Sequence, residues 1–263
     1  MSLAFGMQTL IELDSIDDHV AVCKNLGLGF IELNMNLPRY QLENIDEAML
    51  MNAMQRDGIF FTIHLDENLN VCDFNRCIAD GYVTTVLETI ELAKRLNVPI
   101  LNMHISEGVY FTLPAEKVYL FDKYRDIYMD SMKIFRDKCV NAIGNSGIKI
   151  CIENCGGYEN FAIDSINLLL ESDCFGLTFD IGHSHSASDA DQAFILQNAD
   201  RLHHMHVHDA VSSRNHLVLG EGEIDIAARL RLATEHDCRC VVEVKTVEGL
   251  RRSMKYLREA VII

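Results

Sequence analysis

Short runs of apolar and β-branched residues alternate with longer amphipathic stretches along the whole chain. The short runs are typical of buried strands, and the longer stretches carry apolar residues at helical spacing. This alternation predicts eight strands, at residues 5–10, 30–34, 60–64, 100–104, 149–154, 176–180, 202–207 and 240–244. It also predicts helices between them, of which the clearest lie at residues 18–26, 83–96, 118–143 and 247–257.

Strands that alternate with helices favour a parallel sheet, and eight such units without a break in composition favour a closed barrel. The length of 263 residues is close to the roughly 250 that are typical of one TIM barrel. We therefore predict an α/β fold, a (β/α)8 TIM barrel, in which residues 1–263 form a single domain. The long, aromatic-rich connection at residues 108–125 is predicted to be a lid, a substrate wall or an additional surface helix.

Composition narrows the choice of partners. The formal net charge is −16, whereas a protein that binds duplex nucleic acid normally needs a basic face. The chain has no apolar run as long as a membrane helix, and its first residues do not resemble a signal peptide. Its nine cysteines include no CxxC pair, which fits a reducing compartment. We expect a cytoplasmic protein with a small-molecule substrate and no membrane association, and we disfavour nucleic acid as a partner.

Residue types that bind metals stand at the ends of six predicted strands, where the active site of a TIM barrel lies. They are His64, His104, Glu153, Asp180, His206 and Glu243. Residues two apart share a face of a strand, and small or polar residues precede these positions by two, as at Thr62, Asn102 and Thr178. Buried charges are costly unless they are paired or bound to a cation. The sequence therefore predicts that four of the six point into the barrel mouth and hold a divalent metal: Glu153, Asp180, His206 and Glu243.

Each of these residues also has a structural explanation. A single histidine is more often packed in a core than bound to a metal. Glu153 or Glu243, taken alone, could form an ion pair with Lys149 or Lys245. It is the joint pattern of four strand ends that favours a metal site.

Other polar residues near strand ends give weaker evidence for a metal site. For His64 and His104, core packing and a second metal site are equally balanced. Four further residues are interpreted as structural, the first as an ion-pair partner and the rest as packed histidines: Glu32, His203, His204 and His208.

Several short motifs follow one another in a fixed order. They are IEN around Glu153, FDIGH around Asp180, HVHD at 206–209, LGEGEID at 219–225 and VVEV around Glu243. In these residues the chain resembles the xylose isomerase-like TIM barrel superfamily over nearly its whole length. That superfamily includes sugar isomerases and epimerases, inosose dehydratases, hydroxypyruvate isomerases and apurinic endonucleases of the endonuclease IV type (AP endonuclease family 2).

Resemblance to the ketose 3-epimerases implies one divalent ion, Mn²⁺, Zn²⁺ or Mg²⁺, on the four residues named above. It implies that Glu153 and Glu243 are also the catalytic residues, which exchange protons with the substrate. The implied substrate-binding residues are His183, Arg214, Glu159 and His216. The function is then isomerisation or epimerisation of a ketose or related polyol, by proton transfer next to a carbonyl that the metal polarises.

Resemblance to endonuclease IV implies more metal, with a second zinc held by His64, His104 and Glu153. A third zinc would need His183, His216 and an aspartate, but this chain has Arg214 where that aspartate should be, and a guanidinium repels a dication. The alternative function is therefore a metal-dependent phosphodiesterase that acts on abasic DNA. The acidic net charge and Arg214 favour the sugar isomerase or epimerase. A non-catalytic binding barrel, a homo-oligomer and the identity of the sugar all stay open.

Overall fold

Eight parallel strands close into a barrel in the computed structural model, which describes residues 3–261. The barrel strands are β1 Ala4–Gln8, β2 Phe30–Asn34, β3 Phe60–His64, β4 Ile100–His104, β7 Lys149–Glu153, β8 Phe175–Asp180, β9 Leu202–Val207 and β12 Arg239–Val242. Each pairs with the next barrel strand along the chain, and β12 pairs with β1 to close the ring. The predicted (β/α)8 barrel is confirmed, and each predicted strand boundary lies within two residues of the observed one.

Helices follow the strands and cover the outside of the barrel. They are α1 Ile16–Asn25, α2 Glu47–Asp57, α3 Arg76–Arg95, α4 Leu120–Lys123, α5 Arg125–Ile143, α6 Asn160–Leu170, α7 Ile181–Ser186, α8 Gln192–Gln197, α9 Ile226–Glu235 and α10 Val247–Tyr256. Local sequence explains their ends: Ser15 and Asp18 form a capping box at the start of α1, and Gly58 ends α2 in the left-handed conformation. Along residues 3–261, no helix combines the length and the apolar character that crossing a membrane requires.

The prediction of one helix over residues 118–143 was wrong at its start. Lys117–Tyr119 is a strand, β6, which pairs antiparallel with β5, Tyr110–Thr112. Tyr124 then separates the short α4 from α5, because its backbone (φ −115°, ψ 46°) is not helical. Valine and tyrosine favour extended backbone, so cross-strand pairing overrides the helical spacing here. The connection after β4 is therefore a hairpin followed by the short helix α4.

Side chains alternate between the two faces of the barrel wall as the strand pattern predicts. Outward residues such as Ile63 and Phe179 are buried under the helices, where each contributes about 1.5–3 kcal/mol through loss of apolar surface. Several inward residues are polar and also buried, and Thr178 donates a hydrogen bond to Asn102 inside the barrel. The interior below the mouth is thus a hydrogen-bonded polar layer, which can support charged groups above it.

Candidate active site

Four acidic and imidazole side chains converge at the mouth of the barrel. They are Glu153 at the end of β7, Asp180 at the end of β8, His206 in β9 and Glu243 just after β12, and we call them the central cluster. Their ligand-type atoms all lie within 4.8 Å of one another, and each residue is at most 8% exposed. Nδ1 of His206 lies 3.0 Å from Oε2 of Glu243 and 3.2 Å from Oε1 of Glu153. The structure brings together the residues that the sequence predicts as metal ligands.

Buried atoms without partners mark this cluster as fit for a cation. Nδ1 of His206, Nδ1 of His183 and Oε2 of Glu243 are buried and have no hydrogen-bond partner among the described residues. Such an atom normally costs about 1–3 kcal/mol, so native proteins rarely leave several together. Carboxylate oxygens with an imidazole nitrogen are a donor set that suits Zn²⁺ or Mn²⁺. A divalent ion would satisfy these atoms and offset two of the three negative charges of the carboxylates.

The second oxygen of Glu153 faces a different pair of histidines. Oε2 lies 3.3 Å from Nε2 of His64 and 3.1 Å from Nε2 of His104, and it also accepts a hydrogen bond from Asn102. One oxygen of Glu153 therefore belongs to the central cluster and the other to this pair. The arrangement is that of a carboxylate able to bridge two cations, as the sequence prediction of a second metal requires.

The protonation states of the carboxylates and histidines in the site depend on one another. Burial alone would raise the pKa of Glu153, but the rings of His206 and His104 hold it well below its ordinary value. Burial lowers the pKa of His64, but the hydrogen bond and charge of Glu153 raise it to about 9. Without a metal, protons on the imidazoles therefore balance the carboxylates. A bound cation would displace these protons, so metal affinity should fall as the pH is lowered.

Asp180 is held by three groups around it. Its Oδ1 accepts the backbone N–H of His183 at 2.7 Å, and Nε2 of His208 lies 3.0 Å from both of its carboxylate oxygens. Its backbone exchanges two hydrogen bonds with the side-chain amide of Asn154, at 2.8 and 2.9 Å. The sequence analysis missed Asn154 and assigned His208 to core packing, because strand pattern does not show which neighbours orient a carboxylate.

Asp209 connects two of the sequence motifs into one structure. Its carboxylate accepts the backbone N–H groups of Gly220, Gly222 and Ile224, at 2.9, 2.9 and 3.2 Å. A Cβ on Gly222 would overlap this carboxylate, so the close approach needs a glycine. HVHD and LGEGEID are therefore two halves of one hydrogen-bonded loop, which carries the hairpin of β10 Asp209–Val211 and β11 Arg214–Leu217.

The model of the xylose isomerase-like TIM barrel family matches residues 20–260. This chain belongs to that family. An uncharacterised protein of Methanocaldococcus jannaschii is 26% identical over 222 residues, which cover 80% of this chain and 73% of that relative.

Solved structures of the same shape extend the comparison. The chain is similar to a D-tagatose 3-epimerase-like protein, with a TM-score of 0.79 at 22% identity over 98% of this chain and 96% of that one. It is also similar to the IolI protein solved with a zinc atom, with a TM-score of 0.75 at 17% identity over 99% and 98% of the two chains. These likenesses show that the fold is shared.

In this xylose isomerase-like barrel, His216 lies beside the central cluster. Its Nε2 is 3.2 Å from Oε1 of Glu243, and its backbone N–H donates to Nδ1 of His208 at 2.8 Å. Its φ of 54° is in the left-handed region, where a residue other than glycine is uncommon and often serves a site. The structure thus places His216 with His183, whose ring centroid is 5.1 Å away, at the rim of the cluster.

A group of three histidines lies beside the central cluster. His183, His208 and His216 lie close enough together to share an ion. Both ring nitrogens of His208 are already used, one by Asp180 and one by the backbone N–H of His216. Arg214 is exposed at the start of β11. That a third zinc does not bind stays a prediction.

A cavity of about 100 Å³ opens beside Glu153 and contains the predicted substrate contact Glu159. Glu107 and Cys155, which the sequence analysis missed, also line it. The β5–β6 hairpin begins next to this cavity and exposes several apolar side chains: Val109, Tyr110, Phe111 and Leu113. A larger cavity of about 350 Å³, lined by Arg39 and others, contains no residue of the central cluster. Of these two cavities, the smaller one touches the cluster, through Glu153.

Proposed function

We propose that this protein is a divalent-metal-dependent sugar isomerase or epimerase that moves a proton at a carbon next to a carbonyl. The observation that carries the proposal is the position of Glu153 and Glu243. Their carboxylates approach His206 from two strands that lie three places apart in the ring of eight. Similarity to the D-tagatose 3-epimerase-like protein supports a ketose or related polyol as the substrate.

The central cluster would hold one Mn²⁺, Zn²⁺ or Mg²⁺ ion. When bound, the ion would act as a Lewis acid that draws electron density from the substrate carbonyl. The IolI protein, which has the same fold and was solved with zinc, supports the binding of a metal by this chain. The pair His64 and His104, with the outer oxygen of Glu153, would hold a second ion if one is bound.

Glu153 and Glu243 would carry the proton transfer. Burial would raise the pKa of Glu243, but His206 and His216 hold it well below its ordinary value, so the group is an ionised carboxylate. The other glutamate could return a proton from its own side of the substrate, which changes the configuration of the carbon. Acid–base help of this kind typically raises a rate by about 10²–10⁴.

Four residues around the cluster would orient the sugar. His183 and His216 lie next to the carboxylates and would contact the reacting oxygens. Glu159 lines the adjoining cavity, and the exposed Arg214 lies on β11, where it would reach the distal end of the substrate. The hairpin after β4 would form one wall of the pocket.

A second candidate is a phosphodiesterase that acts on abasic DNA. The observation in its favour is the pair His64 and His104 on Oε2 of Glu153, which a one-metal epimerase does not require. The net charge of −16 opposes it, because the negative potential repels a DNA backbone.

Two assays on the purified protein separate these functions. A panel of ketoses is incubated in deuterated water, and exchange at the carbon next to the carbonyl is followed by proton NMR. In parallel, an oligonucleotide with one abasic site is tested for cleavage. Exchange without cleavage supports the proposal, whereas cleavage at nanomolar enzyme with no exchange refutes it. Elemental analysis of the wild type and of a His64→Gln/His104→Gln variant then counts the ions at each position.

A further inference from the structure

We propose that Glu32 is a positioning residue that determines which nitrogen of His206 binds the cation. Its carboxylate accepts the Nε2 proton of His206, so that Nδ1 is left as the ligand atom. This inference rests on the proposed metal at the central cluster, but it does not depend on which reaction the metal supports.

The contacts of Glu32 reach across the inside of the barrel. Glu32 lies in β2 and is 1% exposed, although β2 and β9 are separated by two other strands in the ring. Its Oε1 lies 2.8 Å from Nε2 of His206, and its Oε2 lies 2.8 Å from Nε2 of His204. Thr62 donates a third hydrogen bond to Oε2 at 3.0 Å. The carboxylate is thus fixed in place by three donors.

An ionised carboxylate can only accept hydrogen bonds, so both imidazoles must donate from Nε2. A neutral imidazole that carries its proton on Nε2 has its lone pair on Nδ1. For His206 this lone pair faces Oε1 of Glu153 and Oε2 of Glu243 at 3.2 and 3.0 Å, without a hydrogen-bond partner. Without a metal, a proton at this position balances the two carboxylates, and a cation that replaces the proton meets the Nδ1 lone pair. Glu32 therefore selects the form of His206 that a cation needs.

The bond to Glu32 also holds the ring in its orientation. Metal-binding histidines commonly donate their other N–H to a carboxylate, and removal of that partner typically weakens metal binding by about 10–100-fold. In Glu32→Gln the side chain keeps its size but loses its charge. If the amide NH₂ faces His206, the ring must carry its proton on Nδ1, which blocks the cation. If the amide oxygen faces His206, it still accepts the Nε2 proton, but the hydrogen bond is weaker because the amide carries no charge. Both orientations lower the metal affinity.

The first experiment measures Zn²⁺ affinity by competition with a chromophoric chelator. Glu32→Gln should bind Zn²⁺ about 10–100-fold more weakly than the wild type. The matched control is Thr62→Val, which removes another hydrogen bond to Glu32 but leaves the bond to His206 intact. It should keep an affinity close to the wild-type value, even if its thermal midpoint falls. Wild-type affinity in a folded Glu32→Gln variant, or an equal loss in both variants, would overturn the proposal.

The second experiment needs only the wild type, so it also applies if Glu32→Gln does not fold. The protein is labelled with ¹⁵N, loaded with ¹¹³Cd²⁺ and studied by NMR, with His206→Gln used to assign the ring. Scalar coupling of cadmium to Nδ1 and a proton on Nε2 would support the inference, and the reverse pattern would overturn it. A wild type that binds neither metal would overturn both this inference and the proposed function. Metal binding with the predicted coupling but no ketose exchange would overturn the proposed function alone.

Discussion

The ring of His208 stands between Asp180 and Gly182. Its Nε2 lies 3.0 Å from both oxygens of Asp180, and a Cβ placed on Gly182 would overlap its imidazole atoms. The same ring stacks on His216 at a centroid distance of 4.2 Å. Position 182 must therefore be glycine for His208 to reach the carboxylate, which explains the small residue inside FDIGH.

Gly182→Ala should destabilise the protein and weaken metal binding. The added methyl group must displace His208, and overpacking of this kind typically costs about 1–3 kcal/mol. Asp180 would then lose one of the groups that orient it. Urea unfolding and Zn²⁺ titration measure the two effects. The matched control is Gly81→Ala in α3, where a Cβ would meet nothing within 4 Å, and this change should stabilise the protein by about 0.5–1 kcal/mol. Equal stability of the two variants would contradict the argument.

Asp209→Asn should loosen the loop that carries β10 and β11. The carboxylate accepts backbone N–H groups from both glycines of LGEG, and hydrogen bonds to a charged group contribute about 1.5–3 kcal/mol each. We expect a loss of about 2–3 kcal/mol in the free energy of unfolding. Asp225→Asn is the control, because asparagine also caps a helix well and Asp225 only caps α9. A loss no larger than that of the control would be inconsistent with the role of Asp209.

Glu243→Gln should abolish turnover and leave part of the metal affinity. The amide keeps one oxygen as a ligand but cannot accept a proton, so ketose exchange should fall by roughly 10²–10⁴. Deuterium exchange and zinc titration of the same samples measure both quantities. Glu248→Gln, an exposed change at the start of α10, should leave both unchanged. Full activity in Glu243→Gln would show that the assignment of the proton-transfer groups is wrong.

His203 should make the protein less stable in mild acid. Burial, with the nearby charges of Lys149 and Arg201, lowers the pKa of His203 to about 4 in the folded chain, whereas an unfolded histidine has a pKa of about 6.5. The unfolded chain therefore takes up the proton first. The stability that the neutral ring provides is present above pH 6.5 and is lost as the pH falls towards 4.

Replacement of His203 should make the free energy of unfolding less dependent on pH. His203→Gln removes the titrating ring, so the slope of stability between about pH 6.5 and 4 should decrease by at most about 1.4 kcal/mol per pH unit. Urea unfolding at a series of pH values measures it. Parallel curves for wild type and variant would exclude His203 as the source.

Much of the architecture follows from local pattern. A strand exposes alternate residues to one face, so the polar positions that end in Glu153, Asp180 and His206 could be assigned to the barrel interior from the sequence. The hairpin at β5 and β6 could not be assigned, because the apolar spacing of its second strand also suits a helix and only the pairing of Tyr110 with Tyr119 decides between them. The intrinsic preference of a residue for helix or strand is weaker than such tertiary contacts.

By itself, the sequence determined the barrel, the face of each strand and the set of groups that meet at its mouth, because these depend on periodicity and on the order of strands. Only the tertiary structure decided the partners across the barrel: Glu32 with His206, His208 with Asp180, and the two oxygens of Glu153 with different histidines. These contacts depend on how the strands tilt and stagger when the ring closes. That stagger brings residues more than 100 positions apart to within hydrogen-bond distance, as with Glu32 and His206, and no local pattern records it.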